Sequence, residues 1–168
     1  RSYGLLFNQL AGEHALPWLL DSKFTWKSSY SRATYNQPDY RTYTQQYTST
    51  GTTTVLTRED SPSRIYTNFL DETVDFQPEI AVPFKQWSGL KSTASVGGFI
   101  SYRDRGSKTR RFQYTSNNAT TAQLTGDIGT VMGNDNVTAA GTGAVGLGLQ
   151  EVTGPNDAYR GQQLIQAG

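Results

Sequence analysis

Hydrophobic and polar side chains alternate along three stretches of the chain, residues 18–31, 73–84 and 90–103. Successive side chains of a β-strand point to opposite faces of its sheet, so each stretch predicts a strand with one apolar and one polar face. Two shorter stretches, residues 3–10 and 159–168, predict further strands. The alternation therefore predicts an all-β chain.

Short and long connections alternate strictly between these predicted strands. The short ones are residues 11–17 and 85–89, and the long ones are residues 32–72 and 104–158. An antiparallel up-and-down sheet with tight turns at one end and long excursions at the other produces this order, as in outer-membrane β-barrels. Tyrosines recur along the first long connection, which suggests that the strands extend into it as a hairpin.

The length of the alternating runs favours a membrane sheet over a soluble β-sandwich, whose half-buried strands also alternate. About eleven residues, at about 3.3 Å each and a tilt of about 40°, rise roughly 28 Å, which matches the apolar band of an outer-membrane barrel. Aromatic side chains are expected at the two membrane interfaces. Trp18, Phe84 and Trp87 would lie at the short-turn end of the strands, and Tyr30 and Tyr102 at the opposite end. We therefore predict antiparallel up-and-down strands of a transmembrane β-barrel with long extracellular loops. They form only part of a barrel, because about eight strands are needed for closure.

The same alternation predicts which side chains face lipid and which face the lumen. A charged side chain on the lipid face of a barrel at mid-membrane costs about 2 to 4 kcal/mol, whereas the lumen is polar. The residues expected to face lipid are Leu20, Phe24, Trp26, Val74, Phe76, Ile80, Val82, Val96 and Ile100. The residues expected to face the lumen are Asp21, Lys23, Lys27, Asp75, Glu79 and Lys91.

Composition narrows the possible functions. The 168 residues contain 15 Lys and Arg against 14 Asp and Glu, so a net charge of +1 argues against nucleic acid as a partner. The absence of Cys excludes disulfides, thiolate metal sites and thiol nucleophiles, and the single histidine, His14, has no second base or nucleophile beside it. We expect no enzyme activity, no metal and no cofactor. The Gly-, Thr- and Asn-rich segment from about 115 to 156 offers little to bury, and we expect it to be the least regular part.

Two groups of side chains are candidates for ligand contact. Tyrosines of the first long connection either stack on a flat ligand or a sugar ring, or pack an extracellular hairpin. A basic group after the third run either captures an anionic substrate or lipopolysaccharide phosphate, or is a solvated strand end at the outer leaflet. The candidates are Tyr35, Tyr40, Tyr43, Tyr47, Arg103, Arg105, Arg110 and Arg111.

Several short motifs, in this order and spacing, resemble the barrel of TonB-dependent outer-membrane receptors over roughly residues 1–114. An upward strand of the form W-x-x-x-Y-S-R-A is followed by a P-D-x-R loop. The matching pieces are GEH at 12–14, WKSSYSRA at 26–33, QPDYR at 37–41, GLK at 89–91, GGF at 97–99, RDR at 103–105 and RRF at 110–112.

The resemblance implies transport of a scarce nutrient, such as a siderophore or glycan, in the outer membrane of a Gram-negative bacterium. It implies as partners the membrane lipid and lipopolysaccharide, the rest of the barrel with its plug or another chain, and the TonB energy-transducing complex. No plug or TonB-box signal is visible, so we expect a piece of a larger protein. Residues 1–114 are assigned to barrel strands, 115–158 to an extracellular loop and 159–168 to the start of a further strand.

Two other classes remain open. One is a secreted, soluble β-sandwich that binds carbohydrate through a tyrosine-rich face. The other is an outer-membrane adhesin or structural protein without transport. The membrane classes predict that the chain does not form a stable monomer in water, because its apolar rows and strand edges need neighbours.

Overall fold

The computed structural model describes residues 1–49, 51, 53–57, 62–139 and 145–168. The strands are β1 (Ser2–Leu16), β2 (Ser22–Thr42), β3 (Thr44–Tyr47), β4 (Thr53–Leu56), β5 (Ser63–Lys85), β6 (Lys91–Gly97), β7 (Phe99–Asn117), β8 (Val137–Ala139), β9 (Gly146–Glu151) and β10 (Ala158–Ala167). Helical segments are α1 (Ile128–Val131) and two 3-10 turns, Thr121–Leu124 and Pro155–Asp157. The prediction of an all-β chain is confirmed. Among the described residues, no helix has the length and apolar character required to span a membrane.

One sheet contains most of the strands, in the order β1-β2-β5-β7-β9-β8, with β6 paired to β5 and β10 paired to β7. The hairpin of β3 and β4 forms a separate two-stranded sheet. Over the described part of the chain, the large sheet does not close on itself.

The chain divides into two compact units. The strand unit consists of Ser2–Tyr35, Phe69–Ser107 and Tyr159–Gly168, all of which are described. The loop unit consists of Arg1, Asn36–Asn68 and Lys108–Ala158.

Within the strand unit, the apolar positions of neighbouring strands share a face as their alternation predicts. β5 and β6 are antiparallel, with Ile80 opposite Val96. The indole of Trp26 in β2 packs against the ring of Phe76 in β5, with 6.5 Å between ring centroids. The register therefore brings the apolar rows of three strands together on one side of the sheet.

The first turn lies further along the chain than predicted. β1 continues to Leu16, so the predicted connection 11–17 is wrong and the turn spans residues 17–21. Leu20 and Asp21 have φ of 53° and 55°, and Ser22 N–H donates to Leu19 O at 2.9 Å to close the turn. Leu20 and Asp21 therefore occupy no strand face, which corrects their assignments to lipid and lumen. In the sequence, the hydrophobic alternation of β2 extends back through the turn, so alternation alone did not show where β2 begins.

Gly12 lies inside β1 rather than in a turn, and the indole of Trp26 covers it. A Cβ on Gly12 would lie 2.4 to 2.7 Å from the indole atoms of Trp26. Trp26 Nε1–H also donates to His14 Nε2 at 3.1 Å. An aromatic ring laid across a cross-strand glycine compensates for the missing side chain, so Gly12 acts here as a packing position.

Pro78 explains why the third predicted run is split into β6 and β7. Continuing the register of β5 and β6 places Gly98, the residue between the two strands, opposite Pro78. Pro78 has no N–H to donate, which interrupts the ladder. Gly98 N–H still donates to Pro78 O at 2.9 Å, so the two strands keep their alignment across the gap.

The long strands extend well beyond the predicted runs. β2 continues to Thr42, β5 begins at Ser63 and β7 continues to Asn117, so both long connections are shorter than predicted. The prediction that strands extend into the first connection as a hairpin is confirmed.

The loop unit contains the buried core of the described residues. Val55, Tyr114, Val131 and Leu147 form one cluster, in which Val131 belongs to α1 and Leu147 to β9. Leu147 lies on β9, between β7 and β8, and is fully buried within this cluster. The expectation that residues 115–156 bury little is therefore wrong for their described part, since the few large apolar residues there pack together despite the Gly- and Thr-rich composition.

Candidate functional site

The candidate site is a groove on the strand unit, named here the arginine groove. Arg103 and Arg105 are two residues apart on β7, so their side chains lie on the same face. β10 runs beside β7 and supplies the remaining wall. The groove has a volume of about 290 Å³ and is lined by Arg103, Arg105, Tyr159, Gly161, Gln162 and Gln163.

Both arginines bind one carboxylate, that of Asp71 on β5. Arg103 Nε–H donates to Asp71 Oδ1 at 2.7 Å, and its Nη2–H donates to Oδ2. Arg105 donates through Nε and Nη2 to Asp71 Oδ2 at 3.0 and 2.7 Å. Asp71 is only 9% exposed. Such a buried carboxylate needs charged donors.

This arrangement leaves one positive charge in excess. Two guanidinium groups share one carboxylate, and the side chains of Arg103 and Arg105 are 41% and 42% exposed. The guanidinium of Arg105 also lies over the ring of Phe69, 5.6 Å from its centroid, which holds it in place. The groove can therefore donate hydrogen bonds to an anionic group without first breaking the contacts to Asp71.

Glycine at position 161 shapes the wall of the groove. A Cβ there would lie 2.0 Å from the hydroxyl oxygen of Tyr159. The Tyr159 side chain can therefore cross the backbone at residue 161, and both residues line the groove with the two arginines.

The other two predicted arginines are paired separately, in the loop unit. Arg110 donates through Nε and Nη2 to Glu151, both at 3.0 Å, and Arg111 Nε–H donates to Asp157 Oδ1 at 2.9 Å. Hydrogen bonds from Arg110 and Thr153 lower the pKa of Glu151 to about 2. The four arginines therefore do not form one basic cluster. Their carboxylate partners are 32 to 46 residues away in the sequence, so no local pattern could have revealed them.

The predicted tyrosines are not gathered into one site either. Tyr35 lies in the strand unit and packs against Tyr3, with ring centroids 4.9 Å apart and the rings tilted by 32°. Tyr40 lies in the loop unit beneath the guanidinium of Arg1, 5.1 Å from its centroid. Tyr43 and Tyr47, also in the loop unit, are 49% and 75% exposed. These last two present the most open rings of the predicted set.

An ion-pair cluster in the loop unit was not predicted. Arg64 Nε–H and Nη2–H donate to Asp39 at 3.0 and 2.9 Å, and Arg41 Nε–H donates to the same carboxylate at 2.7 Å. Hydrogen bonds from Arg64 and Arg41 lower the pKa of Asp39 to about 2, against the opposing effect of its partial burial. The spacing of Asp39 and Arg41 in the QPDYR motif was a local signal for this pair, whereas Arg64 is brought in by β5.

The described residues contain no group of three or more His, Cys, Asp or Glu placed to hold a metal ion. No protein-family model, curated protein or solved structure matches the chain.

Proposed function

We propose that this chain forms part of the wall of an outer-membrane β-barrel of the TonB-dependent receptor type, which takes up a scarce nutrient. One observation carries the proposal: the strand unit has an exposed apolar face, and the ion pairs of Glu13 and Asp71 lie on the opposite face. The motif resemblance supports the choice of receptor class.

The apolar face of the strand unit is continuous across neighbouring strands and open to solvent. Its exposed members include Leu6, Leu10, Val74, Phe76, Phe84, Val96, Ile100, Tyr102 and Leu164. Soluble monomers rarely leave apolar patches of this extent uncovered. A soluble sandwich would cover the face with a second sheet. All strands of the strand unit belong to the one large sheet, so lipid is the covering that fits.

The opposite face carries paired and hydrogen-bonded charges, as suits a water-lined lumen. Ser29 Oγ–H donates to Asp75 Oδ2 at 2.9 Å, and Lys23 pairs with Glu13 at 2.8 Å. Asp71 and its two arginines lie on the same face as Asp75, four residues apart on β5. Charges on this face avoid the cost of charge on a lipid face.

The apolar row of β5 has the length of a membrane crossing. From Val74 to Phe84 it covers about eleven residues, or roughly 28 Å at a tilt of about 40°. At its upper margin, Tyr30 O–H donates to Glu72 Oε1 at 2.7 Å, with Arg32 Nε 3.6 Å from the same oxygen. A tyrosine with its hydroxyl in a polar network suits the membrane interface.

In this proposal, nutrient passes along the polar face, and the arginine groove contacts an anionic part of it. Membrane lipid and lipopolysaccharide surround the apolar face, and the TonB complex supplies energy as the resemblance implies. The excess charge beside Asp71 favours an anionic nutrient over a neutral one.

A carbohydrate-binding protein is the second candidate, favoured by the exposed rings of Tyr43 and Tyr47 in the loop unit. Replacement of both by alanine would abolish sugar binding if these rings form the site. Uptake of an anionic nutrient through the arginine groove would survive the same change.

Single-cysteine labelling tests the membrane assignment, because the chain has no native Cys. Ser95→Cys and Val96→Cys are neighbours on β6, and both positions are exposed when no lipid is present. In membranes, we expect a water-soluble maleimide to label Ser95→Cys at least tenfold faster than Val96→Cys. In urea, both should react at the same rate. Equal labelling in folded, membrane-bound protein would overturn the proposal.

A further inference from the structure

Each arginine of the arginine groove keeps one edge of its guanidinium free. Arg103 and Arg105 both donate to Asp71 through Nε and Nη2, which together form the side edge of the planar group. A guanidinium carries five N–H groups in a fixed fork, so three N–H groups of each arginine, on Nη1 and Nη2, are left for another acceptor. Among the described residues, neither guanidinium makes a further hydrogen bond. Both side chains are partly exposed, so these free donors are accessible to a ligand.

The free edge and the local charge together select the anionic group. On each arginine, one N–H of Nη1 and one of Nη2 point the same way and match the two oxygens of a planar carboxylate. The two guanidinium groups and the carboxylate of Asp71 leave one positive charge in excess. One further carboxylate neutralises this charge, whereas a phosphate monoester brings a charge of about −1.5 to −2 at pH 7. The groove therefore favours a carboxylate over a phosphate.

The β10 wall of the groove offers an aromatic ring and a neutral polar group. Tyr159, Gly161 and Gln163 are alternate residues of β10, so they share one face of the strand. The hydroxyl end of Tyr159 lies over Gly161, and Tyr159 is 59% exposed, which leaves its ring open to a ligand. Such a ring packs against the C–H face of a sugar. The amide of Gln163 can both donate and accept hydrogen bonds, as the hydroxyl groups of a sugar require.

The size of the groove limits the bound group to about one sugar ring. Its volume is about 290 Å³, at the lower end of the roughly 300 to 1,000 Å³ that is typical of small-molecule sites. Among the described residues that line it, Tyr159 is the one aromatic side chain. A large chelate with several aromatic rings would find neither the space nor the stacking surface. The groove suits a single anionic unit of a longer nutrient.

We propose that the arginine groove binds a uronic acid, which is a sugar ring that carries one carboxylate. The inference rests on the proposed uptake function and names the substrate class of the same site. The carboxylate accepts from the free edge of Arg103 or Arg105, the ring packs on Tyr159, and Gln163 binds a hydroxyl group. Asp71 stays bound throughout, because it uses the other edge of both guanidinium groups.

An NMR titration of the isotope-labelled 168-residue chain in detergent micelles with sodium glucuronate tests the proposal. We expect saturable shifts of the Gly161 amide and of the Nε–H signals of Arg103 and Arg105. Glucose, which lacks the carboxylate, should bind at least tenfold more weakly, and acetate, which lacks the ring, about fivefold more weakly. Equal binding of glucose or acetate, tighter binding of glucose 6-phosphate, or the absence of saturable shifts would each overturn the inference.

Matched variants assign the binding to individual side chains. Arg105→Gln removes the excess charge, so glucuronate should bind at least tenfold more weakly. Tyr159→Ala removes the ring without removing a charge and should weaken binding about fivefold, whereas Tyr159→Phe should retain most of it. Arg160→Gln is the control, because its side chain is 74% exposed and pairs with Asp104, and binding should stay within about twofold. Unchanged binding in Arg105→Gln, or in Tyr159→Ala if Arg105→Gln does not fold, would overturn the inference.

The maleimide labelling of Ser95→Cys and Val96→Cys separates this inference from the membrane proposal. If the two cysteines label differently as expected but glucuronate does not bind, only the assignment of a uronic acid is overturned. If glucuronate binds but both cysteines label equally in membranes, the binding site is retained and the membrane proposal is overturned.

Discussion

Substitution of Asp71 by asparagine tests whether the ion pairs of the polar face stabilise the sheet. Asp71 accepts four hydrogen bonds from Arg103 and Arg105, and it is nearly buried. Asparagine keeps the shape and one acceptor oxygen but loses the negative charge, which leaves two neighbouring guanidinium groups without a counter-ion.

The size of the expected loss of stability follows from the burial of the Asp71 carboxylate. Breaking a buried ion pair costs about 3 to 5 kcal/mol. The two arginine side chains are 41% and 42% exposed, so water compensates part of this loss. We therefore expect the free energy of unfolding to fall by about 2 kcal/mol.

Urea unfolding in detergent micelles, followed by tryptophan fluorescence, measures this change. Asp104→Asn is the matched control, because Asp104 pairs with Arg160, whose side chain is 74% exposed. This control should leave the unfolding midpoint close to that of the unmodified chain. If Asp71→Asn were no more destabilising than Asp104→Asn, the stabilising role of the cluster would be refuted.

Two further predictions concern other contacts. The pKa of Asp39 is about 2 in the folded chain against an ordinary 3.8, so its pairing with Arg64 and Arg41 contributes up to about 2 kcal/mol above pH 4. This contribution is lost as the pH falls from 4 to 2, and Asp39→Asn should remove that part of the pH dependence in urea titrations; an unchanged profile would contradict it. Gly12→Ala should displace the Trp26 indole and destabilise by about 1 to 3 kcal/mol, seen as a shift in Trp26 emission when the other tryptophans are replaced. Gly106→Ala, where a Cβ meets nothing closer than 3.7 Å, should be neutral, and equal effects of the two changes would reject the packing argument.

Period-two alternation was sufficient to predict the existence of the long strands and their apolar faces, but not where they end. Ile80, Val82, Val96 and Trp26 alternate with polar neighbours, and each lies on the face that its position predicted. Alternation is a local property that follows from the geometry of a single strand. For the same reason it could not locate the first turn, since Trp18 and Leu20 continue the phase of β2 although they precede it.

The arginine groove, by contrast, depended on tertiary structure. The sequence pattern indicated Arg103 and Arg105 as members of a basic group without a nearby counter-ion. Their counter-ion, Asp71, lies more than 30 residues before them, so the local pattern did not include it. Arg110 and Arg111 looked equivalent to them, yet they pair with Glu151 and Asp157 in the loop unit.

The sequence alone determined the all-β class, the two faces of each strand and the alternation of short and long connections. Only the tertiary structure decided which carboxylate neutralises which arginine and that the Gly-rich segment buries Val131 and Leu147. The physical reason is that side-chain alternation is set within one strand. Ion pairing and burial instead depend on which strands become neighbours, and long connections leave that choice to the folded chain.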